Sequence, residues 1–183
     1  MTPWQLFVDK WKNCTLCPLH TQRSNIVLAR GQIPAEVMVV GEAPGVSEDA
    51  LGIPFCGPAG QLLDQIIERA IPVSVSVVYC NLVCCFPREA KDRGENEPEL
   101  SEIIACRPRL QEFIAIAKPR LIVCVGVLAS DHINHDARGK VTGAAVTQID
   151  HPAWILRMPL VQRQMATQRA IVVIKTAIRN VLQ

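Results

Sequence analysis

The strongest constraint on this chain is a hydrophobic period that switches back and forth along it. Short apolar runs of strand length alternate with longer stretches whose apolar residues recur at helical spacing. Glu36-Val37-Met38-Val39-Val40 is the first such run, and it ends at the turn Gly41-Glu42-Ala43-Pro44-Gly45. Residues 60–71 follow, with Leu62, Leu63, Ile66, Ile67 and Ala70 at helical spacing. Val73 to Val78 predicts a second strand, ending near Asn81. Glu99 to Ala117 predicts a helix, with Pro108 kinking or splitting it and Pro119 stopping it. Leu121 to Val125 is a third strand, closed by Gly126, and Val146 to Ile149 a short fourth, ending at His151. Residues 3–13 and the stretch from about Pro159 complete the set as helices.

Strands that alternate with helices require a sheet covered on both faces. The pattern therefore predicts an α/β fold, a three-layer α/β/α arrangement around a central four-stranded parallel sheet. The glycine-rich turn, Asn81 and His151 all follow strand ends. Open sheets of this class bind ligands in the crevice beyond those ends, so residues distant in sequence converge on one edge. With 183 residues, the chain is expected to form a single domain, spanning 1–183, with a core of useful size. No apolar run approaches membrane-spanning length, and Met1-Thr2-Pro3-Trp4 leads into a segment with Asp9, Lys10 and Lys12 rather than a secretory signal. A cytoplasmic protein with no membrane partner, acting as a monomer, is the expectation. A net charge of +2 permits nucleic-acid binding without arguing for it.

In a reducing compartment, eight cysteines point to metal ligation plus buried thiols rather than to four disulfides. Cys14 and Cys17 are separated by two residues, so one loop can present both to a single centre. The adjacent Cys84 and Cys85, and then Cys106, can complete a four-thiolate shell and tie the N-terminal arm to the body. Spacing alone leaves zinc and iron–sulfur both open, as it does the choice between Cys84 and Cys85. Cys56, Cys80 and Cys124 read as spare thiols.

Four other residues carry possible chemistry, each beside an ordinary reading. Glu42 is either a turn residue or a carboxylate that orients water or supports a developing cation. Phe55, in a loop with Pro54, Gly57, Pro58 and Gly60, is either core or a platform for a planar ring. Asn81 either satisfies local backbone or reads a base edge with its paired donor and acceptor. His151, held extended by Pro152, is either structural or a donor to an oxygen gaining negative charge. The charged loop 88–98 is either solvated or DNA-facing. Gly-x-Ser-x-Gly, Gly-x-Gly-x-x-Gly, the phosphate-loop Gly-Lys-Ser/Thr and the zinc-deaminase signature are all absent, which argues against those enzyme classes.

Taken in order, Cys14-x2-Cys17, Gly41-Glu42-Ala43-Pro44-Gly45-x2-Glu48-Asp49, Gly52-x-Pro54-Phe55-x-Gly57-x2-Gly60-x-Leu62-Leu63-Asp64, Asn81-Leu82-Val83-x-Cys85-x-Pro87, Glu102-Ile103-Ile104-Ala105-Cys106-Arg107-Pro108 and His151-Pro152-Ala153-x-x-Leu156-Arg157 resemble the family-4, iron–sulfur uracil-DNA glycosylases. The resemblance spans nearly the whole chain. It implies the uracil-DNA glycosylase fold with an N-terminal cluster-binding arm. It also implies an enzyme that flips uracil out of single- or double-stranded DNA and hydrolyses its N-glycosidic bond, leaving an abasic site. By position, Phe55 would stack on uracil and Asn81 bond its edge, with Gly41 and Ala43 lining the pocket. His151 would stabilise the departing base, and Glu42 would serve the water or the cationic sugar. Ala153 and Arg157 would approach the DNA. The resemblance favours Cys14, Cys17, Cys85 and Cys106 as ligands of a [4Fe–4S] cluster over zinc, and leaves Cys84 a bystander. Three departures stand out. Phe86 follows Cys85 where the family usually has a basic residue, Cys56 replaces an aliphatic one, and the stretch from Gly126 to Asp150 is short. The absence of His from 88–98 argues against the covalent uracil-binding branch. Two other readings remain open: a non-catalytic iron–sulfur DNA-binding or replication-associated module, and a glycosylase for another damaged or modified base.

Overall fold

A computed structural model of the protein describes residues 1–88, 97–134 and 143–182. Most of the charged loop, part of the short segment before His151, and His135 lie outside the described residues. The elements run, in chain order, α1 (Pro3–Trp11), β1 (Arg30–Gly31), β2 (Val37–Gly41), α2 (Val46–Leu51), α3 (Pro58–Ala70), β3 (Val77–Asn81), α4 (Leu100–Ala117), β4 (Leu121–Val125), α5 (Val127–Asn134), β5 (Ala145–Ile149), α6 (Pro152–Leu156) and α7 (Leu160–Leu182).

The strand order is β1-β3-β2-β4-β5, with β3, β2, β4 and β5 mutually parallel. The expected four-stranded parallel sheet is therefore corrected to five strands, the extra one an antiparallel edge. This β1 is only two residues long, too short to leave a period in the sequence. It forms because Gly31, at φ +109°, lets the backbone press against β3; a Cβ there would lie 2.3 Å from the Val77 carbonyl oxygen. The second strand also begins later than its valines suggest. Val73 is wholly exposed, in a turn where the Val75 N–H donates to the Pro72 carbonyl at 2.9 Å.

Alternation along the strands sorts the core into two layers. Met38, Val40, Val78, Cys80, Ile122 and Cys124 face α1, α4 and α5, where they meet Phe7, Trp11, Ile103, Leu110 and Phe113. Val37, Val39, Tyr79, Leu121, Val123 and Val125 face α3 and α7, where they meet Leu63, Ile66, Ile67, Ile171 and Ile174. Both faces are covered, as the near-continuous apolar strands require. Of the two expected effects of Pro108, a kink or a split, the split does not occur: α4 passes through Pro108 as one helix. The carbonyl that loses its N–H partner belongs to Ile104, on the solvent side, while Ile103, Leu110 and Phe113 anchor the buried face on either side of the proline.

The N-terminal arm is attached by aromatic packing. Thr2 caps α1, its side chain accepting from the Gln5 N–H while the Gln5 side chain accepts from the Thr2 N–H. Phe7 then packs on Phe113 of α4, centroids 5.3 Å apart, and Trp4 stacks on Phe7. This delivers the loop carrying Cys14 and Cys17 to the body of the fold. Among the described residues, no helix is long and apolar enough to cross a membrane.

Candidate active site and cysteine cavity

The chain runs from β2 to β3 on one side and places β4 on the other, so the order reverses at β2. A crevice opens at the carboxyl ends of strands around such a point. Gly41 ends β2 and pairs in register with Asn81, which ends β3. The Leu82 N–H donates to the Gly41 carbonyl and the Val83 N–H to that of Glu42, fixing the two strand ends to each other.

The first cluster sits over Gly41. A Cβ on Gly41 would fall 2.4 Å from Asn81 Oδ1 and 2.5 Å from the Phe55 ring tip, so glycine is what lets an amide and an aromatic ring converge here. Asn81 is buried at 2% exposure, and Phe55 is buried as well. Phe55 holds φ +55°, an uncommon conformation for a bulky residue. The surroundings enforce it. Arg30 donates through Nε to the Pro54 carbonyl at 2.7 Å and through Nη2 to the Phe55 carbonyl at 3.4 Å. The same guanidinium pairs with Asp64 at 2.6 Å and lies 3.9 Å from the Tyr79 ring centroid. Gly60 completes the support, since any Cβ there would overlap the Phe55 carbonyl. Arg30 gave no sequence signal; its contacts come from an edge strand too short to read.

The second cluster sits over Gly126, the residue after β4, at φ +92°. A Cβ there would lie 2.4 Å from Glu42 Oε1 and 3.4 Å from His151 Cδ2, so the carboxylate and imidazole edge converge on one point. His151 caps α6, its Nδ1 accepting from the Ala153 N–H at 3.2 Å. That bond leaves the proton of the neutral ring on Nε2, which becomes a donor. Burial, and then the nearby Arg157 cation, lower the His151 pKa, so the ring is neutral at physiological pH. Ala153 is half-buried, and Arg157 is exposed. Trp154, between them, is 50% exposed, a large aromatic on the rim that its sequence position did not single out. Arg163 of α7 holds the far end of α6 through the Leu156 carbonyl at 2.6 Å. Ala43, half-buried, packs against the α4-side core.

The cysteines form a second, separate feature. Cys14, Cys17, Cys84, Cys85 and Cys106 line one cavity, together with Trp11, Arg23 and Arg109. All eight cysteines are free. Among the described residues, no three or more His, Cys, Asp or Glu side chains close into a metal-holding group. The donor set itself, thiols from the arm, from the loop after β3 and from α4, suits a thiophilic centre. Arg23 Nη1 donates to Cys85 Sγ at 3.1 Å. Burial pushes the Cys85 thiol up to about 11, with Arg23 opposing. Cys84 is buried and its thiol raised by that burial, while its hydrogen bond to Cys106 lowers the Cys106 thiol. The doublet that spacing could not separate thus diverges in its partners. Cys80 and Cys124 are wholly buried in strands, and Cys56 is half-buried.

A tie links the two features. The carboxylate of Asp49 in α2 accepts from the Ser24 N–H at 2.8 Å and the Asn25 N–H at 3.4 Å, and Arg88 donates to it as well. Burial alone would raise the carboxyl, but these donors outweigh it and hold Asp49 below its ordinary pKa. The turn after β2, the end of the arm and the loop beyond Cys85 are thereby joined at one buried anion.

Comparison with known proteins agrees with this architecture. The model of the uracil DNA glycosylase superfamily matches residues 28–175. A type-4 uracil-DNA glycosylase of Pyrobaculum aerophilum is 36% identical over 165 residues, covering 81% of this chain and 82% of that protein. One of Thermotoga maritima is 31% identical over 164 residues, covering 84% and 83%. Among solved structures, Pedobacter heparinus SMUG2 shares the fold at TM-score 0.62 and 12% identity, over 97% of this chain and 98% of that one.

Proposed function

This chain belongs to the uracil DNA glycosylase superfamily, and from that premise we propose that it is a monofunctional uracil-DNA glycosylase that acts in DNA repair. The observation that carries the reading is the double convergence at the strand ends: Asn81 and Phe55 over Gly41, Glu42 and His151 over Gly126.

The target bond is inaccessible inside a base stack, so the uracil is flipped out, from single- or double-stranded DNA, into the crevice. Phe55 stacks on its ring. The Asn81 amide donates to O4 and accepts from N3–H; cytosine presents a donor and an acceptor in the opposite order and is rejected. Gly41 and Ala43 form the pocket wall. As the bond between C1′ and N1 breaks, its electron pair passes to the base, and the Nε2–H of His151 donates to the oxygen that gains charge. One such donor is worth roughly 3–4 kcal/mol of barrier. Glu42 stabilises the positive sugar and orients the water whose oxygen bonds to C1′; the proton that water gives up balances the charge of the departing uracil anion. Trp154, Ala153 and Arg157 meet the DNA at the rim.

Cys14, Cys17, Cys85 and Cys106 are the residues we assign to a [4Fe–4S] cluster. When bound, it supplies thiolate–iron bonds that brace the arm against α4 and the loop after β3. It lies outside the pocket chemistry, and the protein works as a single-domain, cytoplasmic monomer. The decisive assay measures free uracil released from a uracil-containing oligonucleotide, beside oligonucleotides carrying hypoxanthine and thymine. Release from the uracil strand alone is expected. Salt-dependent DNA binding without base release would overturn the enzyme reading.

A further inference from the structure

Arg109 is the largest fully buried side chain among the described residues, at 1% exposure, one helical turn beyond Cys106 in α4. Its Nη2 donates to the carbonyls of Asn81 and Leu82, both at 2.7 Å, and lies 3.7 Å from Cys106 Sγ. Its Nε and Nη1 have no hydrogen-bond partner among the described residues. A buried cation with two orphaned donors is costly, and such a group calls for a negative partner. The guanidinium also lines the cysteine cavity. Arg23, which donates to Cys85 Sγ, is the other cation lining it.

We propose that Arg109 is the internal counter-charge of the cluster and the positioning residue that couples it to the uracil-reading Asn81, a proposal that rests on the cofactor reading above. Its unpaired N–H groups donate to cluster sulfur and to the ligand thiolates. Its Nη2 meanwhile fixes the carbonyls of Asn81 and Leu82, the last residue of β3 and the one after it. The planar fork of arginine suits this double duty; an ammonium supplies charge without the second row of donors.

The test uses the full chain with its cofactor in place. Wild type, R109M and R109K are compared for iron and sulfide per folded chain, for the rate at which the cluster's visible absorbance bleaches in air, and for kcat and KM of uracil release. In R109M, bleaching is expected to be about tenfold faster and kcat about tenfold lower, each the equivalent of one charge-assisted hydrogen bond, with KM nearly unchanged. R109K should recover most of the cluster lifetime but not kcat. Wild-type bleaching and kcat in R109M would overturn the proposal. If R109M fails to fold, R109K decides alone, and wild-type kcat there overturns it. Wild-type protein purified with zinc or without sulfide would sink the cofactor reading and this proposal together, visibly before any variant is made.

Discussion

The strand-end pocket and the cysteine cavity lie beside each other but are built by opposite means. The pocket is shaped by backbone. Gly41 pairs with Asn81 across two parallel strands, and the next two N–H groups bind the Gly41 and Glu42 carbonyls. Glycines at 41, 60 and 126 exclude every side chain that would separate the functional groups. The cavity is shaped by side chains from three segments that share no strand pairing: an arm held by aromatic packing, a loop, and a helix. A site of the first kind is rigid because the fold is rigid. A site of the second kind needs its own bonds to stay together, and thiolate–metal bonds are strong enough to supply them. Substitutions in the pocket should therefore change chemistry without changing assembly, and substitutions in the cavity should do the reverse.

The sharpest way to break that contrast is His151→Ala. Uracil release should fall by about 10²–10³, the value of one transition-state donor, with iron content unchanged and stability lowered only by the lost α6 cap bond, about 1 kcal/mol. Loss of iron in this variant would mean that the two regions are one. Gly41→Ala probes the same region through shape. Its methyl group would meet the Asn81 amide and the Phe55 ring, so release should drop by roughly tenfold or more. Overpacking should also cost about 1–3 kcal/mol in denaturant titration. Full activity would show that the two side chains do not need their observed positions.

In the cavity, Cys85→Ala should abolish bound iron and expose the arm to protease, whereas Cys84→Ala should keep the cluster at a small loss of stability. Iron lost from the Cys84 variant and kept in the Cys85 variant would reverse the ligand assignment. The smallest effect is a pH shift. Because burial and Arg157 lower the His151 pKa, release should decline on the acid side only below the ordinary histidine range. Protonation there costs the Ala153 N–H bond to Nδ1. Removing the cation in Arg157→Gln should raise the pKa and move this acid limb to higher pH. The stability contribution has the same sign: it is present above the unfolded pKa and lost as pH falls through the folded one. An acid limb that does not move would detach Arg157 from His151.

Much of the fold was legible in the sequence because buried parallel strands must be continuously apolar. Leu121 to Val125 and the run at 36–40 announced themselves in this way, whereas 146–149, an edge strand exposed over most of its length and carrying Thr147 and Gln148, showed only as a short run. What escaped was short or locally improbable. β1 has two residues and depends on a glycine meeting another strand. α4 runs through Pro108 because contacts on both sides outweigh one lost hydrogen bond. α2 and α5, of six and eight residues, are too brief to show a period.

The candidate site divides along the same line. Residue type and position after strand ends singled out Glu42, Phe55, Asn81, His151 and the cysteines, because turn glycines, a lone amide and paired thiols are local facts. That Asn81 and Phe55 converge over Gly41, that Glu42 and His151 converge over Gly126, and that Arg30 clamps the Pro54 and Phe55 carbonyls are facts of packing. So is the place of Arg109, an ordinary cation in a helical run until α4 turns it inward between the cysteines and the end of β3. Local sequence sets which groups are available, since propensity and chemistry reside in single residues and short runs. Which of them share a point in space depends on contacts between segments far apart in the chain, and only the assembled sheet with both its covers determines those.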